Sequence, residues 1–189
     1  MPSFPWRGDR RLSSERELAA VDMYVYTQPA GLLGRLVGRA LRFRVERFLV
    51  DLGRDGALPR VEVDAESLRP QCEVYPTTKF ERAPLGYAEV ERLQRRTRGY
   101  TLDAPRYPTI TFDTTASRED AVEGVLCLRG ASQPIRCTKA VEGAEVVVRC
   151  PLSLAAFNVP RYSLWLGLFS VSDAVEVETR IPSKTILSL

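Results

Sequence analysis

A chain of 189 residues, 44% apolar and 27% charged, has the make-up of one globular domain whose core needs no crosslinks to stand. Its 27 basic and 24 acidic residues leave a net charge of +3, too small an excess to point to nucleic acid, and no histidine is present to act as a general base or complete a zinc site. No run reaches the roughly 18 to 20 apolar residues that cross a bilayer, so the chain is not expected to be transmembrane. Residues 1–20 also lack the apolar stretch of a secretory signal, and the expected location is cytoplasmic.

Residues 1–20 read as an arm, in which Ser14 and Glu17 have capping-box spacing for a short helix. The folded domain, 21–182, opens with DMYVYTQ, where Met23, Val25 and Thr27 alternate with Tyr24 and Tyr26 as in a strand. In AGLLGRLVG, Leu32, Leu33, Leu36 and Val37 have helical spacing, while Gly31, Gly34 and Gly38 match no phosphate loop. The next strand alternates Leu41, Phe43 and Val45 and resumes as Phe48, Val50 and Leu52, a slip at Arg47 that predicts a β-bulge. After turn residues at Asp55 and Gly56, Val61 and Val63 oppose Glu62 and Asp64 in a further strand.

Pro70, Pro76 and Pro84 mark residues 69–85 as a loop, and GYAEVERLQRRTRG follows as a helix that Gly99 would end. LDAPRYPTITF then leaves the helix, turns at Tyr107 and Pro108 and starts a strand. Beyond it, Ile110 and Phe112, Val125 and Cys127, Val146 and Val148, and Val175 and Val177 keep period two, broken by a helical turn in SLAAF. Short strands with hairpin-length connections predict a mainly β, antiparallel architecture, with residues 183–189 as a tail.

Catalytic chemistry is poorly provided for. Without histidine, the common Ser-His and Cys-His pairings cannot be built. Lys79 and Lys139 lie in polar surroundings, Lys184 is in the tail, and Glu176 and Glu178 share one strand face as solvated decoration. Cys72, Cys127, Cys137 and Cys150 form no C-x-x-C pair, so neither a metal nor another cofactor is expected. Cys127 and Cys137 flank a turn at Gly130 to Gln133 and are expected across from each other as small buried hydrophobes. Arg92, Arg95, Arg96 and Arg98 read as a solvated helix face, whereas Leu164, Trp165, Leu168 and Phe169 crowd large side chains together as a core cap or a pocket wall.

LDAPRYPTITF, GVLCLRGASQPI and SLAAFNVPRYSLWLGLFSVSDAVEVE, in that order, resemble the YceI-like family, and the resemblance runs from Val21 to about Ile181. It implies a lipocalin-like, up-and-down barrel of about eight antiparallel strands with two or three short helices. It also implies an elongated apolar cavity for a long-chain lipid or isoprenoid ligand, with no nucleic acid partner. Carried onto this chain, the inward-facing ligand-binding candidates are Phe43, Val45, Val63, Ile110, Phe112, Leu126, Ile135, Phe157, Leu164, Trp165 and Leu168. The histidines that relatives carry are replaced here by Gly38-Arg39 and Leu128-Arg129-Gly130, so no role of theirs carries over. The implied protein is a non-enzymatic carrier, with a homodimer compatible with it. The other reading is an interaction module whose barrel is filled by its own side chains and whose arginine-rich surface or arm meets a protein or membrane.

Overall fold

The computed structural model describes residues 21–29, 39–51, 58–160, 163–164 and 169–183. The expected arm helix, the AGLLGRLVG helix, the tail from 184, and Trp165 and Leu168 lie outside them. The elements are β1 (Asp22–Pro29), β2 (Ala40–Val45), β3 (Phe48–Asp51), β4 (Arg60–Asp64), β5 (Leu68–Val74), β6 (Glu81–Pro84) and helix α1 (Tyr87–Arg96). They continue as β7 (Thr109–Ser117), β8 (Ala121–Leu128), β9 (Ala131–Glu142), β10 (Glu145–Ser153), β11 (Ser163–Leu164) and β12 (Phe169–Pro182). The pairing order is β3-β4-β7-β8-β9-β10-β12-β1-β2-β5-β6, with β11 paired to β12, and each pair is antiparallel. The sheet is therefore a path with β3 and β6 at its ends, with more strands than the eight-stranded expectation.

β2 and β3, far apart on the path, are joined at a bend. β2 stops at Val45 and β3 starts at Phe48, so the phase slip at Arg47 is a two-residue break, Glu46-Arg47, instead of a single bulged residue. Opposite it, β4 turns into β5 through a 3-10 turn, Ala65–Ser67, in which the Asp64 side chain accepts from the Glu66 N–H at 2.8 Å. The bend stays hydrogen-bonded: Glu46 N–H donates to Ser67 O and Asp64 N–H to Arg47 O, both at 3.1 Å. The buried Ser67 hydroxyl donates toward Arg47 O at 3.1 Å and Asp64 O at 2.8 Å.

Residues 69–85 are not a loop throughout; they contain most of β5 and all of β6. Proline is tolerated at both places for the same reason, the lack of a demanded N–H. Pro70 pairs with Phe43 where the register skips Gln71, and Pro84 lies in β6, which pairs only with β5 and ends the path. Pro76 alone is in the connecting turn. Helix α1 also runs past the expected stop, since a π-turn, Thr97–Thr101, carries the chain through Gly99. It is the one α-helix of more than a single turn among the described residues.

The β8–β9 connection corrects the expected cysteine pairing. Leu128 pairs with Ala131, which leaves a two-residue turn with positive φ at Arg129 (52°) and Gly130 (73°). Cys127 then faces Ser132, and Cys137 faces Val122. The partner of Cys137 is Cys150 on β10, joined to it by a disulfide with the Cα atoms 4.2 Å apart. Cys72 and Cys127 are free thiols, and burial pushes the Cys72 thiol up.

Candidate ligand-binding interior and the ion pairs outside it

Alternation places Met23 and Val25, Val45, Phe48, Val61 and Val63, Ile110 and Phe112, Leu126 and Leu128, Ile135, Leu152, and Val175 and Val177 in one apolar cluster. β2 and β3 are eight steps apart on the path, about 38 Å in a flat sheet at about 4.8 Å per step, yet only Glu46 and Arg47 join them and Glu46 N–H donates to Ser67 O across the bend. The sheet therefore curls round a common core. Its connections add to the core, with Leu102 and Ala104 from the segment after the π-turn, Phe157 from the 3-10 turn Leu154–Phe157 and Val159 just after it.

Of the expected lining residues, Val45, Val63, Leu126 and Phe157 are buried in this cluster, and Ile110, Phe112 and Ile135 pack against it. Phe43 is buried and pairs with Val25, itself packed on the cluster. Leu164 forms β11 opposite Phe169. The packing is close at one point: a Cβ added at Gly124 would meet the Phe112 ring at 2.5 Å and the Asp113 carbonyl at 2.6 Å.

The opposite face of the sheet carries a second, unexpected arrangement. Tyr26, Ala40, Cys72 and Val74 form a smaller buried cluster, with Tyr24 packed on it and Arg42 over the Tyr24 ring at 5.5 Å. Beside it, Glu178 of β12 has no exposed surface, so its reading as solvated decoration does not hold. Its carboxylate accepts from Lys79 Nζ, Arg149 Nε and Arg180 Nε, each at 2.9 Å. Each cation has another carboxylate as well: Glu176 for Lys79, Glu142 at 2.7 Å for Arg149 and Glu145 at 3.2 Å for Arg180. Burial alone pushes the Glu178 carboxyl up, but the hydrogen bonds from Lys79, Arg149 and Arg180 outweigh it and hold it below the usual carboxylate range.

Lys79 reaches this site from the turn between β5 and β6, crossing the outer face of β2 and β1. Its φ is +59°, and its ammonium sits 4.8 Å from the centre of the Tyr26 ring. The hairpin tip is thus strapped down. Period two in β12 did reveal that Glu176 and Glu178 share a face, but no local pattern reveals that a lysine about a hundred residues earlier covers them.

A family model described as the YceI-like domain matches residues 55–182. The chain belongs to the YceI-like family. Among solved structures, this YceI-like chain is similar in fold to Burkholderia cenocepacia BcnA, with a TM-score of 0.54, 18% identity, and coverage of 86% of this chain and 96% of that one. No curated protein matches it. No helix among the described residues is long and apolar enough to cross a membrane, and they contain no cluster of potential metal ligands.

Proposed function

We propose that this YceI-like protein is a non-enzymatic carrier that holds an amphiphilic long-chain lipid, isoprenoid or fatty-acyl, inside an apolar barrel. The observation that supports it is the larger apolar cluster, fed from both halves of the sheet. Among the described residues the two buried polar side chains are committed elsewhere, Ser67 to backbone carbonyls and Glu178 to the cations of the opposite face.

The bends support closure of the wall. Counting β2 with β3 and β4 with β5 as single bent strands leaves β1, β2–β3, β4–β5, β7, β8, β9, β10 and β12, each paired with the next and the last with the first. That is the cyclic order of an up-and-down barrel of eight strands. Burial of chain methylenes, at about 0.8 kcal/mol each, would supply affinity with little selectivity, and a headgroup would remain at the mouth. The Cys137–Cys150 bridge favours an oxidising compartment over the cytoplasmic one expected from the sequence.

The close fit of Phe112 over Gly124 favours a second reading, a barrel filled by its own side chains that acts through its surface. Organic extraction of the freshly purified protein, with mass spectrometry of the extract, separates the two. A stoichiometric long-chain ligand supports the carrier. A protein that is empty, and stays empty when offered isoprenoids and fatty acids, refutes it.

A further inference from the structure

Among the described residues the exposed aromatic side chains are not scattered. Tyr75, Phe80, Tyr87 and Tyr100 are 52%, 72%, 83% and 49% exposed, and all four lie in one stretch, residues 75–100. Tyr75 and Phe80 stand at the base of the β5–β6 turn, where the Tyr75 N–H donates to Phe80 O at 2.9 Å. Arginines are interleaved with these rings: Arg82 lies over Tyr75 at 6.0 Å and Arg96 over Tyr100 at 5.5 Å. Arg92 and Arg95 are exposed on one face of helix α1, beside Ala88 and Glu89.

The tip and the helix belong to one corner of the molecule. Arg39 forms ion pairs with both Glu73 of β5 and Glu89 of α1, and its neighbour Ala40 pairs with Val74, the residue before Tyr75. The tip is also held in place, because Lys79 between Tyr75 and Phe80 is bound to the buried Glu178. A soluble protein that clamps exposed rings in a fixed position loses little side-chain freedom when those rings enter an apolar phase.

We propose that residues 75–100 are a docking surface for an anionic lipid bilayer, with Tyr75 and Phe80 entering the interface and Arg92 and Arg95 meeting phosphate headgroups. Rings with one wet edge and arginines with apolar stems suit the boundary between headgroups and acyl chains. Single-stranded nucleic acid would also suit rings interleaved with arginine. The bilayer is favoured because Phe80 is 72% exposed and the rings are split between the β5–β6 turn and α1, which does not make a continuous stacking platform. The inference rests on the carrier reading in one respect, that a carrier of membrane lipid must meet the membrane to load or unload.

The test is co-flotation of the full chain with vesicles of phosphatidylcholine alone and of phosphatidylcholine mixed with phosphatidylglycerol. The wild type should float with the mixed vesicles and be released by salt. The double variant Y75S/F80S should lower partitioning by about tenfold or more, since each ring otherwise buries apolar surface. R92E/R95E should abolish the preference for the anionic vesicles. All four positions are on the surface, and an unchanged urea midpoint confirms that the variants fold.

Equal flotation of wild type and both variants would overturn the proposal, as would a wild type that stays in solution with both vesicles. Binding to a single-stranded oligonucleotide that the same substitutions abolish, without vesicle binding, would overturn it in favour of nucleic acid. Uptake of a fluorescent fatty acid added from solution is measured in parallel. A protein that takes up the fatty acid yet ignores vesicles fails only the docking proposal, and one that does neither fails the carrier reading too.

Discussion

Glu178→Gln tests the outer ion-pair network directly, because it keeps the shape of the side chain and removes its charge. In the native protein the carboxylate is the shared partner of Lys79, Arg149 and Arg180 and has no solvent exposure. Breaking a buried ion pair from one side costs about 3–5 kcal/mol, because the remaining charge is stranded. Here the stranding is incomplete. Lys79 retains Glu176, Arg149 retains Glu142 and Arg180 retains Glu145, so the expected loss is about 2–3 kcal/mol at pH 7.

Urea denaturation reads this loss, with Glu142→Gln as the control. Glu142 is largely exposed and should cost about 0–1 kcal/mol, less at high salt. The pH dependence adds a second check. Glu178 is held below the ordinary carboxylate range, so its contribution is present in full above that range and is lost as pH falls through the depressed value. The gap between wild type and Glu178→Gln should therefore close in acid. A loss below about 0.5 kcal/mol, or a gap that does not change with pH, would show that the network is not what holds the β5–β6 tip on the wall.

Two further substitutions probe the inner face and the crosslink. Gly124→Ala places a methyl against the Phe112 ring and the Asp113 carbonyl, and should destabilise by about 1–3 kcal/mol in thermal or urea unfolding; a neutral effect would mean the ring moves freely. Cys137→Ser with Cys150→Ser opens a bridge across a separation of 13 residues and should cost about 3 kcal/mol, and thiol titration of the unreduced, denatured protein should find only Cys72 and Cys127.

The strands after Pro108 were legible because period two and hairpin-length spacing are local signals. The same is true of α1, whose Val90 and Leu93 recur at helical spacing. Residues 69–85 carry a loop signal in their prolines that their strand neighbours override. At a register irregularity and on a strand that ends the path, proline removes no ladder bond, and only the pairing partners reveal those positions. The cysteine pairing failed for a similar reason. The turn is Arg129-Gly130 and not one centred near residue 132, so Cys127 pairs with Ser132, five residues short of Cys137, and Cys137 meets Cys150 on the other side of β9.

Which face points inward was harder to read, and β1 explains why. Met23 and Val25 enter the main core while Tyr24 and Tyr26 join the second cluster, so both faces of the strand are apolar and alternation alone cannot rank them. What distinguishes them is the cover each receives. The inner face meets the other strands of a curled sheet, whereas the outer one meets a hairpin tip folded across β2 and β1 and fixed by Lys79. A lysine over a tyrosine ring and a glutamate with three cations are how a polar sequence seals an apolar outer patch, since each charge there has a partner when water is excluded. The wall is thus sealed on both faces at β1 and β12. A carrier built this way would exchange its ligand at the ends of the strands and not between them, where the wall is pinned on the outside by the Lys79 strap and crosslinked at Cys137–Cys150.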